Sequence, residues 1–128
     1  MNFLLTLTWC FLGVSYVLTF SPLDLSAESY IVTKAVEIAV KHRNSMTDNP
    51  MYMACQSILS VRKLSVTSED INYEVTFNIA MTDCTKLDPH YSCRILLGAE
   101  SEKCTYVFNQ KMLKDTPKIT NWQCGGQN

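Results

Sequence analysis

The sequence has almost no net charge, and its acidic and basic residues are mixed along the chain. Eleven Lys and Arg stand against twelve Asp and Glu, which gives a formal charge of −1 at pH 7. Proteins that hold nucleic acid or an anionic membrane through charge carry clustered basic residues, because each phosphate contact needs a cation. The composition therefore argues against nucleic acid as a partner and against electrostatic binding to a membrane surface.

Metal-binding patterns are also lacking. The sequence contains no Cys-x-x-Cys, and its two histidines, His42 and His90, lie far from any cysteine pair. Structural zinc sites need such clustered ligands, so we predict neither a metal nor another cofactor. Asn-x-Ser/Thr is absent too, and N-glycosylation is not expected.

Glycine is rare, and between Gly13 and Gly98 the chain has none. Glycine adopts positive φ readily and lets another chain approach the backbone closely. The first half of any mature domain therefore offers no glycine for a tight turn or for a close contact with a partner.

A long uncharged run occupies residues 3–20, where Leu, Phe, Val and Trp dominate. The run predicts a secretory signal peptide over residues 1–20, cleaved within 15–21, followed by one domain over 21–128. An uncleaved anchor is the alternative, since about eighteen apolar residues can just span a bilayer. No positive cluster flanks the run, so we expect a secreted, extracellular protein without stable membrane insertion after cleavage.

The six cysteines predict disulfides, because cysteines in a small secreted chain mostly pair. Cleavage of the leader removes Cys10 and leaves an odd number. Cys55 lies among apolar residues, and we expect it to be a free, buried thiol. Catalysis by Cys55 with His42 or His90 as base would need an accessible thiolate, so we do not expect an enzyme.

The clearest secondary structure is a long strand over residues 71–84. Apolar and polar residues alternate strictly there, a period of two that a helix cannot produce. The apolar side would comprise Ile71, Tyr73, Val75, Phe77, Ile79 and Met81.

A helix is predicted before this strand, over residues 27–43, because apolar residues recur at helical spacing. Glu28 in its first turn and basic residues in its last turn match the helix dipole. The polar stretch 44–50 ends the helix and forms a loop.

Three further strands complete the plan, at 52–64, 104–113 and 118–124, with 84–104 as a surface loop. In the first of them, Met53, Cys55, Leu59 and Val61 are predicted to share the apolar face. The fold class is α+β, with one long helix wrapped by a curved antiparallel sheet of four to five strands.

Several short motifs accompany this plan: Met51-Tyr52, Val61-Arg62-Lys63, Asn72-Tyr73 and Thr82-Asp83-Cys84-Thr85-Lys86, together with the spacing of the last four cysteines. With these motifs the chain resembles the secreted type 2 cystatins, small inhibitors of papain-like cysteine proteases. The resemblance covers nearly all of residues 21–128 and implies the bonds Cys84–Cys93 and Cys104–Cys124, although spacing alone allows three pairings.

The resemblance implies a protease-facing edge made of three elements. In the family these are an N-terminal segment with a glycine, a hairpin loop of the form Gln-x-Val-x-Gly, and a second hairpin that carries Pro-Trp. By position they correspond here to Ser21, Pro22 and Leu23, to Val66, Thr67, Ser68, Glu69 and Asp70, and to Met112 and Leu113.

None of the three elements keeps its motif. Asp70 stands where the family has glycine, so the close approach that glycine permits is lost. Glu69 beside it adds a second carboxylate that a partner would have to desolvate. Such losses resemble the reproductive-tract branch of the family, which keeps the fold without the inhibitory loops.

A separate family site, which binds legumain-type proteases, uses an asparagine in the loop after the helix. Asn49 lies in the matching region, and it is the candidate residue for that function. Pro50 follows it directly, however, and should hinder the approach of an asparagine-cleaving enzyme.

Two functional hypotheses follow. The first is a secreted protein that acts by binding a protein partner and inhibits papain-like proteases weakly or not at all. The alternative is a working inhibitor with altered loops, since Val66, Met112 and Leu113 could still bury apolar area in a cleft. Exchange of the hairpin of strands 52–64 and 71–84 between two copies would give a domain-swapped dimer, promoted by repulsion between Glu69 and Asp70.

Overall fold

The computed structural model describes residue 26 and residues 29–87, 92–112 and 116–126. One helix precedes four strands, and the strands form one antiparallel sheet in sequence order, so each strand lies beside its neighbours along the chain. The predicted α+β plan is confirmed. The elements are α1 (Tyr30–Ser45), β1 (Met51–Val66), β2 (Asp70–Thr85), β3 (Ser101–Lys111) and β4 (Lys118–Gly126).

Helix α1 begins three residues later than its periodicity predicts. The side chain of Ser29 accepts a hydrogen bond from the Val32 amide at 3.2 Å, which satisfies one of the free donors of the first turn. Glu28, predicted in that turn, lies outside the described residues. At the other end, His42 and Arg43 occupy the last turn as predicted, and Arg43 forms a bidentate ion pair with Glu102 on β3.

The core lies between α1 and one face of the sheet. Five of the six predicted apolar residues of β2 are fully buried, and each contributes about 1.5–3 kcal/mol through removal of its side chain from water. Aromatic rings stack across β2 and β3, with Tyr73 5.5 Å from Phe108 and Phe77 5.9 Å from Tyr106. The helix contributes Val32, Ala35, Val36, Ala39 and Val40 to this cluster.

Bulges in β1 overturn the predicted position of Leu59. The register with β2 shifts between Cys55 and Ser57 and again between Ile58 and Ser60, and each extra residue reverses the alternation of faces. Ile58 is consequently buried and Leu59 is 49% exposed. A strict period of two therefore placed Leu59 on the wrong side.

Near its end, β2 also departs from strict alternation. Thr82, predicted on the polar face, is fully buried, whereas Met81 is only half-buried. The Thr82 hydroxyl donates to the Tyr52 carbonyl at 2.8 Å and accepts the Cys84 amide at 3.2 Å, so its burial leaves no polar group unsatisfied.

The segment between β2 and β3 is more ordered than the predicted loop. Ile95 forms a bridge with Thr82, and the Leu96 amide donates to the Met81 carbonyl at 3.0 Å. The chain is bonded at Cys84–Cys93 and at Cys104–Cys124, the pairs that the resemblance implied.

Cys55 is buried as predicted, but the expectation of a free thiol there is wrong. Cys55 is disulfide-bonded, and none of the described cysteines is free. We expected a free thiol because loss of Cys10 with a leader would leave five cysteines. The full chain has six, an even number. Cys10 itself lies outside the described residues.

Among the described residues, no helix is both long enough and apolar enough to cross a membrane.

Candidate functional site

Both hairpins turn at the same end of the sheet. β1 joins β2 through residues 66–70, β3 joins β4 through residues 111–118, and Asp70 lies opposite Lys111 in the register. We call residues 66–70, 111–112 and 116–118 the hairpin end. It contains most of the predicted protease-facing residues, while Ser21, Pro22, Leu23 and Leu113 lie outside the described part of the chain.

Thr67 closes the first hairpin loop. Its hydroxyl accepts the amides of Glu69 at 3.1 Å and Asp70 at 3.0 Å, and its own amide donates to the Asp70 carbonyl at 2.8 Å. Three backbone amides of the loop are thus satisfied within it, a role that Ser and Thr side chains often have in turns. The side chains of Ser68 and Glu69 at the tip are exposed.

The Asp70 carboxylate is directed toward β3. One oxygen accepts the Thr67 hydroxyl at 3.0 Å, and the other accepts the Asn109 amide at 3.2 Å and the Lys111 ammonium at 3.4 Å. The Asn109 amide, together with Thr67 and Lys111, holds the pKa of the Asp70 carboxyl below its usual value. One cation and two neutral donors stabilise the Asp70 carboxylate, which offsets the predicted repulsion from Glu69.

The two hairpins are also joined through their backbones. The Met112 amide donates to the Glu69 carbonyl at 2.9 Å, which extends the ladder of β2 and β3 by one bond. The Met112 side chain packs against the core cluster, so it does not project as the indole of a Pro-Trp hairpin would. β3 ends at Lys111, two residues before the predicted end.

The hairpin end and the adjoining end of β1 present apolar surface beside the exposed Glu69 carboxylate. Leu64 and Val66, at the end of β1, are 46% and 42% exposed. Glu69 is exposed, and among the described residues it forms no ion pair and no side-chain hydrogen bond. A partner would meet two aliphatic side chains, the Glu69 carboxylate and the exposed Lys111 and Lys118 side chains.

Asn49 lies at the opposite end of β1. The strand has 16 residues, so at roughly 3.3 Å per residue the two ends are roughly 50 Å apart along the chain. The Asn49 side chain accepts the Met51 amide at 2.9 Å, and the neighbouring Pro50 carbonyl accepts the Lys86 amide at 2.9 Å. Asn49 thus has a structural role in this turn.

The side chains considered for catalysis have structural partners. Cys55 is disulfide-bonded and offers no thiolate, and His42 is 2.8 Å from the Tyr106 hydroxyl. Burial raises the pKa of Tyr106 to about 12, so this hydroxyl stays protonated at neutral pH. His90 lies outside the described residues.

Two groups of metal-ligand residue types occur in the described part of the chain, one around Cys84 and Cys93 and one around Cys104 and Cys124. In both groups the cysteines are bonded to each other. A sulfur in a disulfide is not the thiolate that binds metals, so neither group is suited to hold an ion.

Sequence reasoning missed the polar chain that supports the loop. Asn109 donates to Asn72 at 2.9 Å as well as to Asp70, and Asn72 donates to Ser65 at 2.9 Å. These hydrogen-bonded side chains thus connect three strands on the face of the sheet away from α1. The only sequence signal was the position of these residues on polar faces, since their contact depends on strand register.

Comparisons with known proteins agree with this geometry. The family model described as "Cystatin domain" matches residues 21–113. Eleven solved chains match significantly; one of them, described as the crystal structure of Al-CPI, has a TM-score of 0.64 and 16% sequence identity, covering 78% of this chain and 94% of that one. At this identity the likeness shows the fold alone. No curated protein matches the sequence significantly.

Proposed function

Because this chain belongs to the cystatin family, a family of non-enzymatic cysteine protease inhibitors, we propose that it binds a protein partner through the hairpin end. We further propose that it inhibits papain-like proteases weakly or not at all. The observation that supports weak inhibition is Asp70 itself. It stands where the resemblance calls for a glycine, and its side chain is bonded to Thr67, Asn109 and Lys111.

The first loop supports weak inhibition in two ways. An inhibitory loop must bring its backbone close to the protease cleft, and a side chain at the glycine position keeps the two surfaces apart. The exposed Glu69 carboxylate would in addition lose its water without a partner in this chain to replace it. Both effects reduce affinity without changing the fold.

The second hairpin supports the same conclusion. Met112 packs against the core and cannot replace a large indole at a partner's surface. Truncation of an aromatic hot spot typically costs about 2 kcal/mol or more, and about 1.4 kcal/mol changes affinity tenfold. Together with the first loop, even partial additivity predicts a loss of about a thousandfold.

A working inhibitor with altered loops is the alternative. The exposure of Leu64 and Val66 favours it, because aliphatic surface buried in a cleft contributes about 25 cal/mol per Å². This surface would have to compensate for all three missing motifs.

Titration of a papain-like protease with the mature protein separates the two functions. We expect no inhibition at nanomolar concentration, and nanomolar inhibition would refute the argument from motif loss. A rebuilt variant with Val66→Gln, Ser68→Val, Asp70→Gly, Met112→Pro and Leu113→Trp should gain inhibition. The matched control Leu96→Gln changes an exposed residue of the segment between β2 and β3 and should gain none.

Secretion is part of the proposal. Residues 1–20 would be a leader cleaved within 15–21, and residues 21–128 the mature extracellular domain. That domain holds five cysteines, so cleavage would change the pairing that the full chain has at Cys55. The Cys84–Cys93 and Cys104–Cys124 disulfides support an oxidising compartment. Within the family we favour the type 2 group and its reproductive-tract branch. We assign Asn49 a structural role rather than a legumain-binding one, because its side chain already accepts the Met51 amide.

A further inference from the structure

We propose that Asp70 is a positioning residue, which fixes the first hairpin loop in one conformation and joins it to the start of the second hairpin. The hairpin end would then meet its partner as one preformed surface rather than as two independent loops. This inference rests on the proposed function only in that the hairpin end is taken as the binding surface.

The geometry of the carboxylate supports this role because both oxygens are used. One oxygen accepts from Thr67 in the loop, and the other from Asn109 and Lys111 on β3. A single side chain therefore connects the loop to a strand that is distant in sequence. Only 20% of the Asp70 side chain remains exposed, compared with 58% for Lys111.

The backbone bonds around Asp70 depend on the same arrangement. Thr67 can accept the amides of Glu69 and Asp70 while its proton is donated to the carboxylate. The Glu69 carbonyl, held by this loop, accepts the Met112 amide. Release of the carboxylate would leave the Thr67 hydroxyl only the longer, 3.3 Å bond to the Asp70 carbonyl, and would loosen the loop and its bond to the second hairpin.

Few other charges act on Asp70. Lys111 faces it from β3, Glu69 precedes it in the loop with an exposed side chain, and the polar chain through Asn109 leads to uncharged Asn72 and Ser65. The nearest charge pair further along the sheet, Arg62 with Glu74 at 2.9 Å, is satisfied internally. Protonation of Asp70 would therefore remove its charge pairing with Lys111 and weaken this connection.

The pH dependence follows from the lowered pKa of Asp70. A carboxyl whose folded pKa lies below its unfolded value contributes fully above the unfolded value, about 3.9 for Asp, and the contribution is lost as pH falls through the folded pKa. The connection should persist in neutral and mildly acidic media and fail only in strong acid.

Backbone amide hydrogen exchange of the free protein, measured by NMR, tests the inference. The reporting amides are those of Thr67, Glu69, residue 70 and Met112, with Val75 in the middle of β2 as internal reference. Asp70→Asn puts an amide donor where the carboxylate accepts several bonds, so protection of the reporters should fall on the order of tenfold while Val75 is unchanged.

Glu69→Gln is the matched control, since it removes a neighbouring carboxylate that makes no ion pair or side-chain hydrogen bond with any residue that the structure describes, and it should leave protection unchanged. Asn109→Ala provides a second variant and should raise the pKa of Asp70, measured by carboxyl NMR titration. In the native sequence the protection of the reporting amides, corrected for the intrinsic pH dependence of exchange, should fall only when Asp70 is protonated. In Asp70→Asn the protection should show no such step with pH.

Equal protection in Asp70→Asn and Glu69→Gln, or loss of protection that does not follow the Asp70 titration, would overturn the inference. The outcome is distinguishable from that of the proposed function. Nanomolar protease inhibition would refute weak inhibition and leave the exchange result standing, whereas unchanged exchange would refute positioning by Asp70 and say nothing about inhibition.

Discussion

Replacement of Asn44 by alanine should destabilise the fold far more than its place in a polar stretch indicates. Asn44 is buried in the last turn of α1, and its amide donates to the carbonyls of Val40 at 2.9 Å and Met53 at 2.8 Å. Its oxygen accepts the Met53 amide at 2.9 Å. One side chain thus connects the end of the helix to the start of β1.

The expected magnitude follows from the groups that the substitution leaves behind. Asn44→Ala removes three hydrogen bonds and leaves both backbone groups of Met53 without their partner. An unsatisfied buried polar group costs about 1–3 kcal/mol, and Met53 is only half-buried, so water can replace part of the loss. We expect a decrease of about 2–3 kcal/mol in the free energy of unfolding, equivalent to about 10–20 °C in Tm for a domain of this size.

Urea denaturation and thermal melting followed by circular dichroism would measure this effect. Ser45→Ala is the matched control, because Ser45 is the next residue, is exposed, and makes a single side-chain bond to the His42 carbonyl. It should change stability by less than about 0.5 kcal/mol. If Asn44→Ala cost no more than Ser45→Ala, the claim that this side chain connects helix and sheet would be refuted.

Two other predictions concern covalent stability and association. Removal of the Cys104–Cys124 bond by paired serine substitutions should cost about 3 kcal/mol, since it opens a loop of 20 residues; urea denaturation showing no loss would contradict this. We also propose slow formation of a domain-swapped dimer through the hairpin of β1 and β2 near the unfolding temperature, visible by size-exclusion chromatography. Because Asp70 joins the loop to β3, Asp70→Asn should dimerise faster than Glu69→Gln, and a protein that stays monomeric after prolonged warming would argue against exchange.

The sequence by itself determined the order of the elements and most of the core. The alternation from Ile71 to Ile79 predicted a long strand with one buried face, and those residues are buried, because a period of two is a local property of an extended backbone. Counting from the cysteines identified the two hairpin loops and showed that their motifs differ from those of the family. These features depend on residues close together along the chain.

Tertiary structure alone decided the features that depend on strand register. The exposure of Leu59 follows from bulges that no local pattern announces, since a bulge is defined by the partner strand. Asn44, read as the first residue of a loop, is buried because β1 returns to the end of α1.

The contacts of Asp70 at the hairpin end also depend on strand register. Sequence reasoning placed Glu69 and Asp70 side by side and predicted repulsion, because it could consider only neighbours along the chain. The register brings Asn109 and Lys111, about forty residues away, to the Asp70 carboxylate, and this converts an apparent charge clash into a connection between two hairpins. The energy of a charged group is set by the donors around it in space, and those donors become known only when the sheet is assembled.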